Sequence, residues 1–514
     1  MPPRKKKKTK TISSGIGEPS EDDLPSARNN NPFIFASSTR PVIASVLPPL
    51  SSLCVRVFAE NIQKLYGNST TWPIAAHYLK ILPDPLLARV FAMLRMVCPT
   101  LLSAEFVTTY FFRGSVMILD NSMPGVEEST IQKLKQMGSE LKELELTGFE
   151  KFSDTAFASA IAELPSLRKL ILRGCSQVGA KTLAAMEKHC GQLSVINLNN
   201  TAATPVALLP ILLGCGPKLE VLKVAGISNW TDATFSRLSA GLDDNFKLPL
   251  LHTLKLRGLS LSDASINILL ALCPNLRRLD ASFTPIKHPP ILSDPSTKPK
   301  LQKLSLTSTQ LTMSDLVSIL SGLSDLRTLS VGALGGGQAT SAAMGNSSAM
   351  TMTDETLRAM TGVLAECPHL DNVNLAGNVK LGVTGRYDRA LETFILRVGR
   401  KCKILKLAGI PSLQSKDLAG LMPADEGNPC RLKDLNLNNT NVDDTAAVFI
   451  STCSQLETLS VQKTKFTSEG LFTIIDACPQ LANLDLTSCR GVSLADRRRF
   501  FEVWHEAQQD DNEA

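Results

Sequence analysis

The chain is poor in aromatic side chains: Phe, Tyr and Trp make up 5% of its 514 residues, with 3 Trp and 4 Tyr. That excludes a core centred on packed rings, so the 43% of hydrophobic residues must form aliphatic layers. No stretch reaches the roughly 18 apolar residues a membrane span needs; "PVALLPILLGCG" is too short and carries two prolines. Behind the opening "MPPRKKKKTK" there is no apolar segment of the kind a secretory signal requires, and the 12 cysteines are therefore expected to stay reduced. No CxxC pair occurs, which removes the commonest zinc arrangement. The 6 histidines include no HExxH. The glycine-rich "GALGGGQATSAAMGNSSAM" from Gly332 lacks the Gly-Lys-Ser/Thr that cradles phosphates and reads as a flexible insertion. No Ser-His-Asp or Cys-His set has a local signature. The expectation is a protein that is not an enzyme, with no catalytic residue, metal or cofactor. A net charge of +6 is small for this length and permits an anionic partner without requiring one.

What the chain has instead is leucine at fixed spacing. Leu-x-x-Leu-x-Leu opens as "LKELEL" at Leu141 and occurs with variations thirteen times in all, through "LRKLIL" at Leu167 and "LETLSV" at Leu456 to "LANLDL" at Leu481. The starts are mostly 24 to 26 residues apart, with longer steps of 30, 32, 32 and 44. A period near 25 with this motif predicts a leucine-rich-repeat solenoid: a curved α/β horseshoe with a parallel sheet inside and helices outside. Three residues past the last motif position stand small turn residues: Cys175, Thr201, Thr284, Thr309, Asn378, Thr440, Thr464 and Cys489. Then comes Ser or Thr before Asp, a helix N-cap signal, at Ser153, Thr231, Ser262, Ser314 and Thr353.

The expected domains are a disordered basic tail over 1–40, a helical domain over 42–136, repeats over 137–495 with an insertion near 333–352, and a C-terminal cap helix with a frayed tail over 496–514. In the last, Phe500, Phe501 and Trp504 share a helical face. The insertions near 242–249 and 424–430 are expected on the rim opposite the 333–352 loop. Residues between the leucines face the concave sheet, placing Lys169, Arg173, Lys223, Lys255, Arg257, Arg278 and Lys303 there as a basic stripe for an acidic or phosphorylated protein segment. Asparagine and hydroxyl residues follow in later repeats, among them Asn374 and Asn436. The basic N-terminal run reads either as a nuclear signal or as a solvated tail, giving nucleus and/or cytoplasm as the location.

The pieces "CPNLRRL", "CPHLDNV", "CSQLETL" and "CPQLANL" resemble the cysteine-containing leucine-rich repeats of F-box proteins and related ubiquitin-ligase subunits. In "PPLSSLCVRVFAENI", Leu50, Cys54 and Phe58 stack on one helical face. In "LPDPLLARVFAML", Leu82, Pro83, Leu86 and Val90 form an apolar-Pro-x-x-apolar-x-x-x-apolar pattern. Together these resemble the BC box and cullin box of elongin-C-binding substrate receptors, including Zyg-eleven-like proteins; the second stretch also resembles the opening of an F-box, which binds a Skp-type adaptor. The resemblance implies adaptor-binding roles for those seven residues. It also implies a non-catalytic substrate-recognition subunit of a cullin-RING ubiquitin ligase, SCF-like or elongin-C-type, that holds a target on the repeat face for ubiquitination and degradation. Two alternatives stay open at this point: 42–136 only caps a leucine-rich-repeat scaffold or inhibitor, or the basic stripe binds nucleic acid.

Overall fold

The computed structural model describes residues 37–39, 49–333, 352–383, 389–422, 429–493, 495–497 and 500. All of these belong to the unit Ala36–Ala514. The basic tail apart from residues 37–39, the centre of the 333–352 insertion, most of 424–430, and Phe501 and Trp504 lie outside the described residues.

Each leucine motif becomes a short strand, because one face of the alternating pattern must be buried while the other stays wet. The sequence order is β1 (Ser37–Thr39), β2 (Val116–Asp120), β3 (Glu143–Thr147), β4 (Lys169–Ile171), β5 (Val195–Asn197), β6 (Val221–Lys223), β7 (Thr253–Lys255) and β8 (Arg278–Asp280). It continues with β9 (Lys303–Ser305), β10 (Thr328–Ser330), β11 (Asn372–Asn374), β12 (Ile404–Lys406), β13 (Asp434–Asn436), β14 (Thr458–Ser460) and β15 (Asn483–Asp485). Strands β2 to β15 form one parallel sheet in unbroken sequence order. In β4, Leu170 is buried between half-buried Lys169 and Ile171, and the next motif leucine, Leu172, is buried just past the strand. This is the leucine-rich-repeat α/β solenoid the period predicts. At its far edge β1 runs antiparallel to β15, with Ser37 opposite Asp485, and so covers an edge that would otherwise be open to pairing.

The sheet begins one strand earlier than the thirteen motifs. Met117 and Leu119 of β2 register with Leu144 and Leu146 of β3, so Gly114 occupies the place of the first leucine. A strand therefore lies inside the stretch expected to be wholly helical. Ahead of it come α1 (Leu50–Tyr66), α2 (Trp72–Ile81), α3 (Asp84–Val97) and α4 (Ala104–Tyr110). Leu94, Leu102, Phe106 and Phe111 from this region are buried in the same hydrophobic cluster as Met117, Leu119 and the repeat leucines. They shield the first leucine layer, which a repeat array cannot leave wet. At the other end buried Phe500 packs edge-on against Phe472, with ring centroids 4.7 Å apart. The 242–249 insertion is anchored by buried Leu248, whose N–H donates to the Leu272 carbonyl at 2.7 Å.

Three backbone devices recur. All thirteen repeats from β3 onward place a positive φ two residues after the last motif position: glycine at six, such as Gly148 and Gly226, and another residue at seven, such as Asn200 and Phe283. A side chain at Gly226 would combine a φ of +69° with a clash against the Asn200 side chain, so a substitution there is strained. The small turn residues next to this position are buried and hydrogen-bonded. Thr201, Thr284, Thr309, Thr440 and Thr464 each donate to the carbonyl three residues back, at 2.6 to 2.8 Å. Asn378 donates to Leu375 and Val331 carbonyls.

The third device is the aspartate after each cap. Asp154 accepts from the N–H groups of Gly179, Lys181 and Thr182 at 2.9, 2.9 and 3.1 Å, capping the next repeat's helix rather than its own. Asp263 accepts from Lys287 and His288 and Asp354 from Gly382, in the loops ahead of the next repeats' helices, and Asp444 accepts from Thr467, the N-cap of the helix Ser468–Ala477. The cap residues themselves differ in part from the sequence reading. Ser153, Thr231 and Thr353 accept the expected N–H, but Ser262 makes no side-chain cap bond. Thr312, not Ser314, caps the helix Met313–Leu320, because its hydroxyl reaches the Asp315 N–H at 3.2 Å.

Burial opposes ionisation of Asp154, but the Thr182 hydroxyl and three backbone N–H groups outweigh it and hold the carboxyl below its ordinary range. Asp232 is lowered in the same way, through Ser265 and Ser262. A carboxyl with a depressed folded-state value stabilises above the unfolded value near about 4 and loses that contribution as pH falls through and below it. The urea midpoint should accordingly be flat above about pH 5 and decline below about pH 4. Asp154→Asn should lower the neutral-pH midpoint and flatten the acid decline. A variant that tracks the parent curve in parallel across that range would refute the bridging role.

Candidate functional site

An open apolar groove lies between α1, α2 and α3. Helix α1 starts after Pro49 and packs on α3 through Val55, Ala59 and Ile62, which are buried. The adjacent stripe, Leu50, Cys54 and Phe58, is left facing the groove: Leu50 is 76% exposed, Cys54 is exposed and Phe58 half-buried. Helix α2 ends where Leu82 turns extended, and Pro83 then caps α3. Arg113 fixes that corner, donating to the Leu79 and Leu82 carbonyls at 3.0 and 2.7 Å and pairing with Asp84 at 3.4 Å. Arg89 of α3 reaches Ser51 Oγ of α1 at 3.2 Å and ties the walls together.

Between these walls lies a cavity of about 750 Å³ whose lining is almost entirely carbon. Six of the seven adaptor candidates line it: Leu50, Cys54 and Phe58 on one wall, and Leu82, Leu86 and Val90 along the other side. Pro83 does not line it; it is exposed at the α2–α3 corner. Ile74 and Tyr78 of α2 complete the lining at 61% and 63% exposure. The sequence reading assigned them no role, although Ile74, Tyr78 and Leu82 repeat the four-residue spacing of Leu50, Cys54 and Phe58. Contiguous exposed apolar side chains of this size mark interaction surfaces rather than ordinary surface.

Cys54 is the one exposed thiol of the 12. The others serve packing. Cys190 donates toward the Leu164 carbonyl at 3.6 Å, Cys215 toward Cys190 at 3.4 Å, and Cys478 toward Cys453 at 3.5 Å. Burial pushes Cys175, Cys190, Cys273 and Cys402 up to about 12. Among the described residues no group of three His, Cys, Asp or Glu side chains is placed to hold a metal ion, and no helix is long and apolar enough to cross a membrane.

On the sheet face away from the helices, the seven basic candidates fall in three rows rather than one stripe. Lys169, Arg278 and Lys303 open their strands; Lys223 and Lys255 close theirs; Arg173 and Arg257 lie two residues beyond. Register brings Arg278 beside Lys303 and Lys223 beside Lys255, whereas β5 to β7 separate Lys169 from Arg278. Several charges are already engaged. Lys169 pairs with Glu143 at 3.1 Å, and Arg257 lies over the Phe283 ring at 4.5 Å. Lys255 is only 6% exposed, flanked in register by Lys223 and Asp280. The asparagine row is likewise structural in part. Asn197, Asn374 and Asn436 accept the N–H two residues on, at 3.1, 2.9 and 3.0 Å, and Asp280 and Asp485 do so at the same place. These are Asx turns that end the strands.

No protein-family model and no curated protein matches the chain. Solved structures give partial likenesses. The yeast Rad7–Elc1 complex shares 17% identity over 83% of this chain and 96% of that one, with a TM-score of 0.41. The internalin InlF of Listeria monocytogenes shares 16% over 71% and 90%, with a TM-score of 0.39. A leucine-rich-repeat protein of Leptospira interrogans shares 14% over 72% and 92%, with a TM-score of 0.38.

Proposed function

We propose that this chain is a non-catalytic substrate-recognition subunit of a cullin-RING ubiquitin ligase. Helix α1, on the rim of the groove, inserts Leu50 and Cys54 into an apolar groove of an elongin-C or Skp-type adaptor, and the repeat sheet holds the target protein. Rate then comes from proximity of the target to a ubiquitin-conjugating enzyme, not from an acid or base on this chain. The observation that carries this reading is the groove. Leu50 and Cys54 stand four apart on its rim with Phe58 behind them, which suits the i, i+4 anchors of helix-in-groove recognition. Burying Leu50, Ile74 and Tyr78 at an interface would supply the desolvated apolar centre that dominates such binding.

The test is direct binding of the purified full-length chain to each adaptor by calorimetry. The expected result is a complex with one of them that Leu50→Asp/Cys54→Asp weakens by about 100-fold or more, because two charges would enter an apolar seat. Both sites are exposed, so the thermal midpoint should hardly move. Binding to neither adaptor, or unchanged binding by the folded double variant, overturns the reading and leaves an interaction scaffold without a ligase partner.

A further inference from the structure

One pair of cysteines breaks the pattern of thiols donating to carbonyls. Cys430 and Cys453 are both fully buried, and their sulfurs meet at 3.2 Å. Sequence register explains the contact. Cys273, Cys367, Cys453 and Cys478 all stand three residues before their motif leucine, whereas Cys430 stands two before Leu432. The shift turns its thiol toward the neighbouring thiol, while Cys478, in register, reaches the Cys453 carbonyl instead. We propose that Cys430 and Cys453 form a reversible disulfide within the folded chain when a small hydroperoxide reaches them, joining the repeats of β13 and β14.

The geometry favours this pair over the other cysteines. Sulfurs at 3.2 Å must close to about 2.05 Å, a movement on the scale of a side-chain adjustment. The Cys453 thiol hydrogen points at Cys430. That bond, with the Leu432 N–H and the Arg400 charge, holds Cys430 below its ordinary value despite burial, while Cys453 is pushed up. Cys430 is thus the nucleophile. Its thiolate attacks the O–O bond and becomes a sulfenic acid, and the leaving oxygen departs as water or an alcohol after taking up a proton. The Cys453 sulfur then displaces the sulfenic hydroxyl, which leaves as water with the Cys453 proton. Two thiols lose two electrons and one hydroperoxide gains them. Burial excludes bulky disulfide reagents and admits only a small oxidant.

The test uses the full-length Cys54→Ser chain, to remove the exposed thiol, treated with a few equivalents of hydrogen peroxide under native conditions. Tryptic digestion without reductant should yield residues 417–431 joined to 434–463 as the dominant cross-link, 2 Da lighter than the sum of the free peptides and cleaved by phosphine. With Cys453→Ser added, a dimedone reagent applied to the denatured chain should find sulfenic acid at Cys430. If that variant does not fold, the cross-link in the Cys54→Ser chain decides alone. The proposal is overturned if both thiols remain alkylatable while other buried cysteines oxidise, if all cysteines oxidise at one rate, or if Cys430 proceeds to sulfinic acid without a cross-link.

Discussion

Treated with a maleimide at neutral pH, the folded chain should lose one thiol quickly and the rest slowly, and the fast one should be Cys54. The thiolate is the reacting species, and reaction also needs access. Cys54 has access; the other 11 cysteines are buried or, at Cys367, half-buried. Burial adds a second barrier, pushing Cys175, Cys190, Cys273 and Cys402 up to about 12 and Cys478 up to about 11. A thiol at 12 is ionised to roughly one part in 10⁵ at neutral pH, so a rate gap of about 100-fold or more is expected even after transient openings. Cys430 is kept from a maleimide by its burial, not by its acidity. Cys54→Ser should abolish the fast phase. Saturating α1 with adaptor should slow it in the parent chain, which connects this chemistry to the proposed docking. Two fast thiols, or a fast phase that survives Cys54→Ser, would mean that α1 does not present this face to solvent.

How much of this was legible follows from which signals are local. The leucine spacing specifies β3 to β15 because burying a three-residue strand needs only the residues in it and the layer beside it. β2 was hidden because Gly114 and Met117 replace two of its leucines, and it is identified only by pairing with β3. The i, i+4 spacing finds both apolar stripes of α1 without saying which is covered. Val55, Ala59 and Ile62 go inward because α3 packs there, and Leu50, Cys54 and Phe58 are left at the groove by default. Ile74 and Tyr78 share the four-residue spacing with Leu82, but their place on the opposite wall emerges only from the chain reversal that Arg113 fixes. The basic candidates failed as a single stripe for another reason. Treating every outward position alike merged strand starts with strand ends; Glu143 and Asp280 hold the motif positions of Lys169 and Lys255 in neighbouring repeats, whereas the Phe283 ring against Arg257 comes from the turn. The aspartates after the caps were visible, but their partners one repeat away were not.

That inter-repeat bonding makes Trp230→Ala the substitution with the largest expected effect on stability. Among the described residues Trp230 is the largest fully buried side chain, and its bonds reach the repeats on both sides. Its indole N–H donates to the Ala203 carbonyl of the β5 repeat at 2.9 Å, and its own carbonyl accepts the Ser260 N–H of the β7 repeat at 3.0 Å. It also precedes Thr231, the cap of the helix Asp232–Ser239. Truncation should cost about 3–5 kcal/mol through the cavity alone. Trp230→Phe keeps most of the volume but orphans the Ala203 carbonyl, and should cost about 1–3 kcal/mol. In a repeat array each unit is held by its neighbours, so a weakened interface divides the cooperative unit instead of lowering it evenly. Urea unfolding followed by hydrogen exchange should therefore show β2 to β5 and β7 to β15 losing protection at separate denaturant concentrations in Trp230→Ala, and together in the parent chain. A single transition with an unmoved midpoint would mean that the repeats are coupled through the sheet alone, with the turn tryptophan as filler.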